Sequence, residues 1–344
     1  MRRFSFFASL SSLLTLALAT AARAQYQAPA GYELVPLVDT TTDLPFKPDG
    51  LAVSSSGELA VTNGDTVTLY NTWQNGRSVV ASVTDSAWLY DTDPVFLNSS
   101  TILFGENGNT DALWSVNFAA PLPTISQVTP DGDLPDIEGV SVLDATHAIV
   151  SGQNPTPPAS SGALYLDKID LTDGNISSIA SGIGSGYPGN PAVTPAGNFA
   201  FLEADSESGS SYVHLFNSAN APLTDVALDN GDGYAAYGIA FDSAGIAYVT
   251  TGNTITAVSG IDSLAPIVSQ FGTGDPTYEQ YLTSISFTGG SFNPGEAGDT
   301  GALIVNDGGF DSGGAFAIIV PEPGSAALLC AAAILGLRKR GSRR

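Results

Sequence analysis

Cysteine, histidine and methionine are almost absent from this sequence, and these absences remove several classes of chemistry. The 344 residues include one cysteine, two histidines and one methionine. Cys330 lies in an apolar run near the C-terminus, so residues 25–320 can form no disulfide and offer no thiolate nucleophile or cysteine metal ligand. Packing must therefore stabilise this part of the chain, which is long enough to bury a large core.

Positive charge is also scarce. The chain has 11 Lys and Arg against 34 Asp and Glu, a formal net charge of −23. Only Lys47, Arg77 and Lys168 lie within residues 25–320, whereas every acidic residue except Glu322 lies there. Such a body repels nucleic acid and anionic lipid and attracts cations, so we exclude nucleic acid as a partner.

Residues 1–24 have the organisation of a secretory signal peptide. Two arginines are followed by an uncharged apolar run and by the small-residue pattern Ala22-Arg23-Ala24. We expect signal peptidase to cleave before Gln25 and the remainder to be exported. The alternative, a membrane anchor, would need a longer apolar span.

The C-terminus carries a second short apolar run, Ser325–Leu337, which is followed by a basic tip. As a helix this run would span about 20 Å, less than the roughly 30 Å of a bilayer's hydrocarbon core. The basic tip would stay on the cytoplasmic side of the membrane. We therefore expect a weak, transient membrane anchor that leaves the body outside.

Residues 321–344 resemble the PEP-CTERM sorting signal. The three parts of that signal occur in order: the triplet Pro321-Glu322-Pro323, the apolar run, and the basic tip with Arg338, Lys339 and Arg340. The resemblance implies processing by an exosortase-type enzyme at the inner membrane of a bacterium that makes exopolysaccharide. It also implies a final location at the cell surface or in the extracellular matrix, with exopolysaccharide or envelope proteins as partners.

Residues 28–320 show almost no helical periodicity, and we predict an all-β domain there. Short runs of Val, Ile, Phe, Tyr and Ala alternate with turns rich in Gly, Asn, Asp and Ser. A strand–turn–strand unit recurs, and its first strands begin at residues 51, 95, 140, 192, 239 and 285. Units of about 45 residues with four strands each are typical of a β-propeller, here with six blades.

The sixth unit lacks a fourth strand before the tail begins, and the segment 32–39 is a spare strand of suitable length. We predict that this N-terminal strand completes blade six and closes the ring, which removes an open sheet edge. The alternative is a β-sandwich with coincidental spacing. The period and strand pattern resemble six-bladed propellers of the gluconolactonase/SMP-30-like and NHL-like groups.

Polar residues near the starts of the inner strands predict a functional site at one mouth of the central channel. The residue two positions before each inner strand is Asp49, Asp93, Glu138, Asn190, Tyr237 and Thr283. The loops between the second and third strands, expected on the same face, add Asn63, Asn107, Asn154, Asp205, Asn253 and Asp307. Clustered carboxylates repel one another unless they are neutralised, and a hard cation such as Ca²⁺ prefers oxygen ligands.

We therefore predict a divalent-cation site formed by Asp49, Asp93, Glu138, Asn190, Asn107 and Asp205. The alternative is that these residues only satisfy turn geometry. In gluconolactonase-like proteins a Glu-Gly pair at the start of an inner strand joins Asn and Asp around a divalent metal, and Glu138-Gly139 matches that pair. Val140-Ser141 departs from the Pro and aromatic residue that usually follow.

The two histidines do not predict a catalytic triad. His147 opens a second strand at a hairpin tip away from the predicted mouth, and His214 lies mid-strand as a packing or surface residue. A Ser-His-Asp arrangement is therefore not expected. The sequence favours a non-catalytic cell-surface or matrix protein with binding or structural roles. The alternatives are a metal-dependent hydrolase of the lactonase type and a purely structural spacer.

Overall fold

The computed structural model describes most of the chain between Tyr26 and Pro321. The described residues are 26–30, 32–37, 50–63, 65–73, 77–84, 92–106, 110–119, 121–154, 163–184, 186–205, 210–229, 236–252, 254–272, 282–289, 299–307 and 314–321. They form strands and turns, with no helix among them. Accordingly, no helix in this part of the chain has the length and apolar character needed to cross a membrane. The predicted signal peptide, 1–24, and the predicted C-terminal helix lie outside the described residues.

Six antiparallel sheets, which we number as blades 1 to 6, contain all the strands. Blade 1 consists of β2 (Gly50–Val53), β3 (Leu59–Asn63), β4 (Thr66–Tyr70) and β5 (Val79–Thr84). Blade 2 consists of β6 (Val95–Asn98), β7 (Thr101–Glu106), β8 (Ala112–Asn117) and β9 (Thr124–Gln127). Blade 3 consists of β10 (Ile137–Asp144), β11 (His147–Asn154), β12 (Ala163–Asp170) and β13 (Ile176–Ile183). Blade 4 consists of β14 (Tyr187–Pro188), β15 (Ala192–Val193), β16 (Phe199–Asp205), β17 (Ser210–Phe216) and β18 (Pro222–Asp229). Blade 5 consists of β19 (Ala236–Phe241), β20 (Ala247–Thr251), β21 (Thr254–Ser259) and β22 (Ile267–Gly272). Blade 6 consists of β23 (Leu282–Gly289), β24 (Asp299–Asp307), β25 (Gly314–Pro321) and β1 (Glu33–Pro36).

The same tight turn joins the first two strands in blades 1, 4 and 5. A glycine in the left-handed region occupies the turn in each case: Gly57 (φ 94°), Gly197 (φ 80°) and Gly245 (φ 79°). Glycine adopts this conformation without a Cβ penalty. Each glycine N–H donates to the carbonyl three residues earlier, that of Ser54, Thr194 or Asp242, at 2.8 to 3.0 Å. These turns, at 54–58, 194–198 and 242–246, join the strands of the predicted strand–turn–strand unit.

The blades close into a ring, which confirms the six-bladed propeller. Each inner strand contacts the inner strand of the next blade, and β23 returns to β2. Strand β1 forms the outer strand of blade 6 and pairs antiparallel with β25, with Glu33 opposite Ile319 and Pro36 opposite Phe316. The predicted closure by an N-terminal strand is therefore correct, and both ends of the domain contribute to one sheet.

Two outer strands and one strand break differ from the sequence interpretation. The sequence shows a clear outer-strand pattern at 79–84, 176–181 and 266–271, and the structure adds β9 and β18. Strand β9 is the short, largely exposed segment Thr-Ile-Ser-Gln, and β18 begins with proline, so neither has a strong strand pattern. The inner strand of blade 4 is interrupted between β14 and β15, where Pro188 and Pro191 provide no N–H donors.

The core lies between neighbouring blades, and the N-terminal segment fills part of it. Leu37, which follows β1, is 2% exposed and packs with Leu51 and Trp73 between blades 6 and 1. The guanidinium of Arg77 donates a hydrogen bond to the Leu37 carbonyl across this junction. Before β1, Tyr26 stacks on Phe316 with ring centroids 5.2 Å apart. The closing segment is thus fixed by packing as well as by strand pairing.

Candidate functional site

Two of the predicted mouth residues meet directly. The side-chain amide of Asn190 donates a hydrogen bond from Nδ2 to Asp93 Oδ2 at 2.8 Å. Asp93 lies two residues before β6 in blade 2, and Asn190 lies at the break between β14 and β15 in blade 4. Blade 3 separates these blades, so the hydrogen bond reaches across the rim of the channel. The predicted convergence of the inner-strand starts is correct for this pair.

Glycines allow the mouth residues to approach so closely. A Cβ on Gly50 would lie 2.8 Å from Asp93 Oδ1, and a Cβ on Gly139 would lie 2.6 Å from both the Cα and Oδ1 of Asn190. Real Cβ atoms do not tolerate contacts this short. Because each glycine belongs to a blade next to that of the polar residue it touches, the two glycines bring backbone from blades 1 and 3 against Asp93 and Asn190.

Buried hydroxyl groups on the second strands hold the backbone of the mouth. Thr62, Ser151 and Thr250 are each 0% exposed and occupy comparable positions near the ends of β3, β11 and β20. Ser151 Oγ donates to the Gly189 carbonyl at 2.8 Å, immediately before Asn190. Thr250 Oγ1 accepts from the Gly238 N–H at 2.9 Å, immediately after Tyr237. These bonds position the segments that carry the mouth side chains.

Glu138 and two exposed tyrosines form the adjacent part of the mouth. Glu138 is exposed, and Tyr187 and Tyr237 are 52% and 38% exposed. Burial, together with the nearby Glu138 carboxylate and Tyr187, raises the pKa of the Tyr237 phenol above its usual value. Burial and neighbouring carboxylates, Glu138 among them, likewise raise the pKa of Tyr165. Both phenols are therefore neutral hydrogen-bonding groups near an acidic side chain.

Below the mouth lies a central channel with a volume of about 390 Å³. Asp93 and Asn190 line it together with inner-strand residues from all six blades. Deeper in the channel each blade contributes an apolar residue: Val53, Leu97, Val142, Val193, Phe241 and Phe287. The channel thus combines an acidic rim with a wall that presents polar and apolar surface in similar measure.

The other predicted site residues are only partly described. Asp49 and Asn107 lie outside the described residues, and Asp205 ends β16 without a described side chain. The register places the ends of the second strands at the mouth, as predicted, because Gly50 pairs with Thr62 and Leu282 pairs with Asp307. Among the described residues, no group of three or more His, Cys, Asp or Glu side chains is arranged to hold a metal ion.

A charged cluster in blade 4 was missed by the sequence analysis. His214 is 9% exposed, and its two ring nitrogens lie 2.8 Å from Glu203 Oε2 and 2.7 Å from Asp225 Oδ1. His214 was predicted to be a packing or surface residue; it is buried and stacks on Phe201, so packing is the role that the structure shows. The three charged residues are spaced by 11 positions each, one strand and one turn, which is the signal that could have revealed them.

The electrostatics of this cluster favour a protonated imidazole. Burial alone would lower the pKa of His214, but the hydrogen bonds to Glu203 and Asp225 outweigh burial and raise the pKa above its ordinary value. Glu203 is 7% exposed and also accepts a hydrogen bond from the Gly186 N–H at 3.2 Å. The other histidine, His147, pairs with Asp144 at an exposed hairpin away from the mouth, as predicted.

Solved structures similar to this chain are propellers of diverse function. A structural-genomics target described as a gluconolactonase-family protein has a TM-score of 0.57 and 13% identity, covering 87% of this chain and 99% of its own. A chain of a nidogen/laminin complex has a TM-score of 0.55 and 13% identity, covering 76% and 96%.

The β-propeller domain of Cps50 (Swd1) from Myceliophthora thermophila has a TM-score of 0.50 and 14% identity, covering 80% of this chain and 83% of its own. No protein-family profile matches the chain, and no curated protein matches it. At these identities the similarities establish the β-propeller fold, and they leave its function to be argued from the site.

Proposed function

We propose that this protein is an exported propeller of the cell surface or extracellular matrix that binds a ligand at its axial mouth. The observation that carries this proposal is the hydrogen bond between Asn190 and Asp93, which brings polar side chains from two non-adjacent blades together at the rim of one channel. The channel volume of about 390 Å³ falls in the range of about 300–1,000 Å³ that is typical of small-ligand sites.

A divalent cation is the ligand that the donor atoms favour. Asp93 and Glu138 supply carboxylate oxygens, Asn190 can supply its amide oxygen, and Asp49 would add a third carboxylate. Calcium takes six to eight oxygens and completes its shell with water in weak extracellular sites. The amide of Asn190 now presents its nitrogen to Asp93, so a cation shared by the two residues requires this amide to rotate.

Addition of calcium is expected to raise the melting temperature of the mature protein. If only the folded state binds, stabilisation should reach about 2.7 kcal/mol at a hundredfold excess over the dissociation constant. The variant Glu138→Gln should lose most of this shift, because it removes charge and preserves shape. Differential scanning calorimetry with calcium, magnesium, manganese and zinc measures the effect.

The matched control is Asp131→Asn, because Asp131 lies in an exposed acidic turn and accepts a hydrogen bond from Gln127. This control should keep the full calcium shift. If none of the four cations changes the melting temperature, the cation site is wrong, and the polar rim must bind another ligand or only stabilise turns.

A metal-dependent lactonase is the second candidate function. It is favoured by the exposed carboxylate of Glu138 at the mouth, beside the neutral phenol of Tyr237. Val140-Ser141, which follows Glu138-Gly139, differs from the Pro and aromatic residue of the lactonase pattern. We therefore rank this function second. A lactone and ester hydrolysis screen with added divalent metal distinguishes the two functions, because turnover abolished by Glu138→Gln would favour the enzyme.

Export makes a separate prediction about both ends of the chain. We expect the released protein to begin near Gln25 and to lack the residues after about Pro323. Deletion of Arg338–Arg344 should block processing or retention, since the basic tip then no longer stops transfer. Intact-mass spectrometry of the released protein measures both ends, and a released chain with an intact C-terminus would contradict the proposed processing.

A further inference from the structure

The inner strands of blades 3 and 5 carry the same irregularity at the mouth. In blade 3 the register with the second strand shifts at Glu138, and in blade 5 it shifts across Tyr237 and Gly238. Such β-bulges redirect side chains and are over-represented next to active sites. Glu138 and Tyr237 are exposed, whereas the residues on either side of each are buried. The two bulges therefore turn these side chains out of their sheets at the rim of the channel.

The bulges adjoin the interrupted inner strand of blade 4 from both sides. A Cβ on Gly139, which follows Glu138, would lie 2.6 Å from the Cα of Asn190. On the other side, the Asn190 N–H donates to the Tyr237 carbonyl at 2.9 Å. Tyr187 begins the same segment of blade 4, at the start of β14. Glu138, Tyr187 and Tyr237, which we call the tyrosine rim, thus lie on three consecutive blades at the mouth.

The aromatic side chains of the tyrosine rim are unusually exposed. Tyr187 and Tyr237 are 52% and 38% exposed, whereas every other Phe, Tyr or Trp in the described part of the chain is buried or partly buried. Burial, the Glu138 carboxylate and Tyr187 together raise the pKa of Tyr237, so its phenol stays neutral. Exposed rings from two different blades at one site indicate a ligand that packs on them.

Positive charge is missing from this part of the mouth. The described residues include one arginine, Arg77, and one lysine, Lys168. Arg77 lies at the junction of blades 6 and 1, where its guanidinium donates to the Leu37 carbonyl. Lys168 lies near the end of β12 that is remote from the mouth. The carboxylates of Asp93 and Glu138 therefore set the local field, which attracts cations and repels anions.

We propose that the tyrosine rim binds an organic ammonium ion. Such an ion is attracted to the face of an aromatic ring when it lies within about 6 Å of the ring centroid, and the Glu138 carboxylate supplies an opposite charge beside the rings. A divalent cation would use carboxylate oxygens and not the ring faces, so it gives the two exposed tyrosines no role. The inference rests on the proposed ligand site at the mouth and names a class of ligand that uses all three side chains.

Choline and its uncharged isostere 3,3-dimethylbutan-1-ol test this proposal in the mature protein, because the two molecules have nearly the same shape. Isothermal titration calorimetry in metal-free buffer should give a dissociation constant about tenfold lower for choline. Tyr187→Leu and Tyr237→Leu should each weaken choline binding about two- to thirtyfold, as expected for loss of a cation–π contact. Tyr237→Phe keeps the ring and should bind choline like the wild type.

The role of charge is tested with a matched pair of variants. Glu138→Gln should weaken choline binding about two- to fivefold, because an exposed ion pair contributes little more than this. Asp131→Asn removes one charge from an exposed turn, where Asp131 accepts a hydrogen bond from Gln127, and should leave choline binding unchanged.

Equal dissociation constants for choline and its isostere, or no choline binding at concentrations up to about 10 mM, would overturn the proposal. Choline binding that neither leucine variant weakens would overturn it as well. The calcium test fails independently, because ring faces do not ligate calcium, and Tyr187→Leu should preserve any calcium-induced rise in melting temperature. Choline binding without a calcium shift would support the ammonium site and refute the divalent-cation site.

Discussion

A chain that begins at residue 41 is expected to be several kcal/mol less stable than one that begins at Gln25. The shorter chain lacks β1, and the ladder on β25 loses its partner from Glu33 to Pro36. It also loses Tyr26 and Leu37, which are 4% and 2% exposed, and burial of each such side chain stabilises by about 1.5–3 kcal/mol. Because the free energy of unfolding of a typical domain is about 5–15 kcal/mol, this loss approaches the total stability of the protein.

The truncated blade would also present the edge of β25 to solvent, which favours association between molecules. Denaturant unfolding and size-exclusion chromatography measure the two effects. Leu37→Ala isolates packing within the same segment and should cost about 2–5 kcal/mol. Gln27→Ala, at an exposed position, should leave the unfolding midpoint unchanged. A truncated chain that remains monomeric with an unaltered midpoint would show that β1 does not stabilise the ring.

Replacing His214 by leucine is expected to destabilise the protein by about 3–5 kcal/mol near neutral pH. Glu203 is 7% exposed, and loss of its imidazolium partner leaves a buried carboxylate without compensating charge. The double variant Glu203→Gln with His214→Leu should recover much of the loss, because it removes the uncompensated charge. Denaturant unfolding of the three proteins at one pH measures this comparison.

The destabilisation by His214→Leu should depend on pH in a defined direction. The pKa of His214 is raised in the folded state, so the folded protein binds this proton more tightly than the unfolded chain. The stabilising contribution is fully present below the unfolded pKa of about 6.5, and it is lost as the pH rises through the higher folded value. The difference in unfolding free energy between wild type and variant should therefore shrink as the pH rises above about 6.5 and through the higher folded pKa.

His147→Leu is the control of the same residue type. His147 contacts Asp144 at an exposed hairpin, where ion pairs contribute at most about 1 kcal/mol. Its effect on stability should be small throughout the same pH range. If the effect of His214→Leu does not vary with pH, His214 is not the group that titrates in the cluster.

The sequence determined the strand repeat and the closure of the ring. Both depend on local pattern: alternating apolar residues specify strands, and turn residues such as Gly57 and Gly197 specify hairpins. Because the N-terminal segment is a spare strand and the sixth unit lacks its fourth strand, the N-terminal strand must complete blade 6. The same logic placed Asp93 and Asn190 near one mouth, because both precede the inner-strand segments of their blades.

Only the tertiary structure decided which polar groups meet. The bond between Asp93 and Asn190 depends on Gly139, whose missing Cβ lets blade 3 pack against Asn190. The pairing of His214 with Glu203 and Asp225 depends on the register of three strands, which a pattern of single strands does not specify. Strand identity is encoded locally, whereas contacts across strands and blades depend on register and packing that many distant residues fix together.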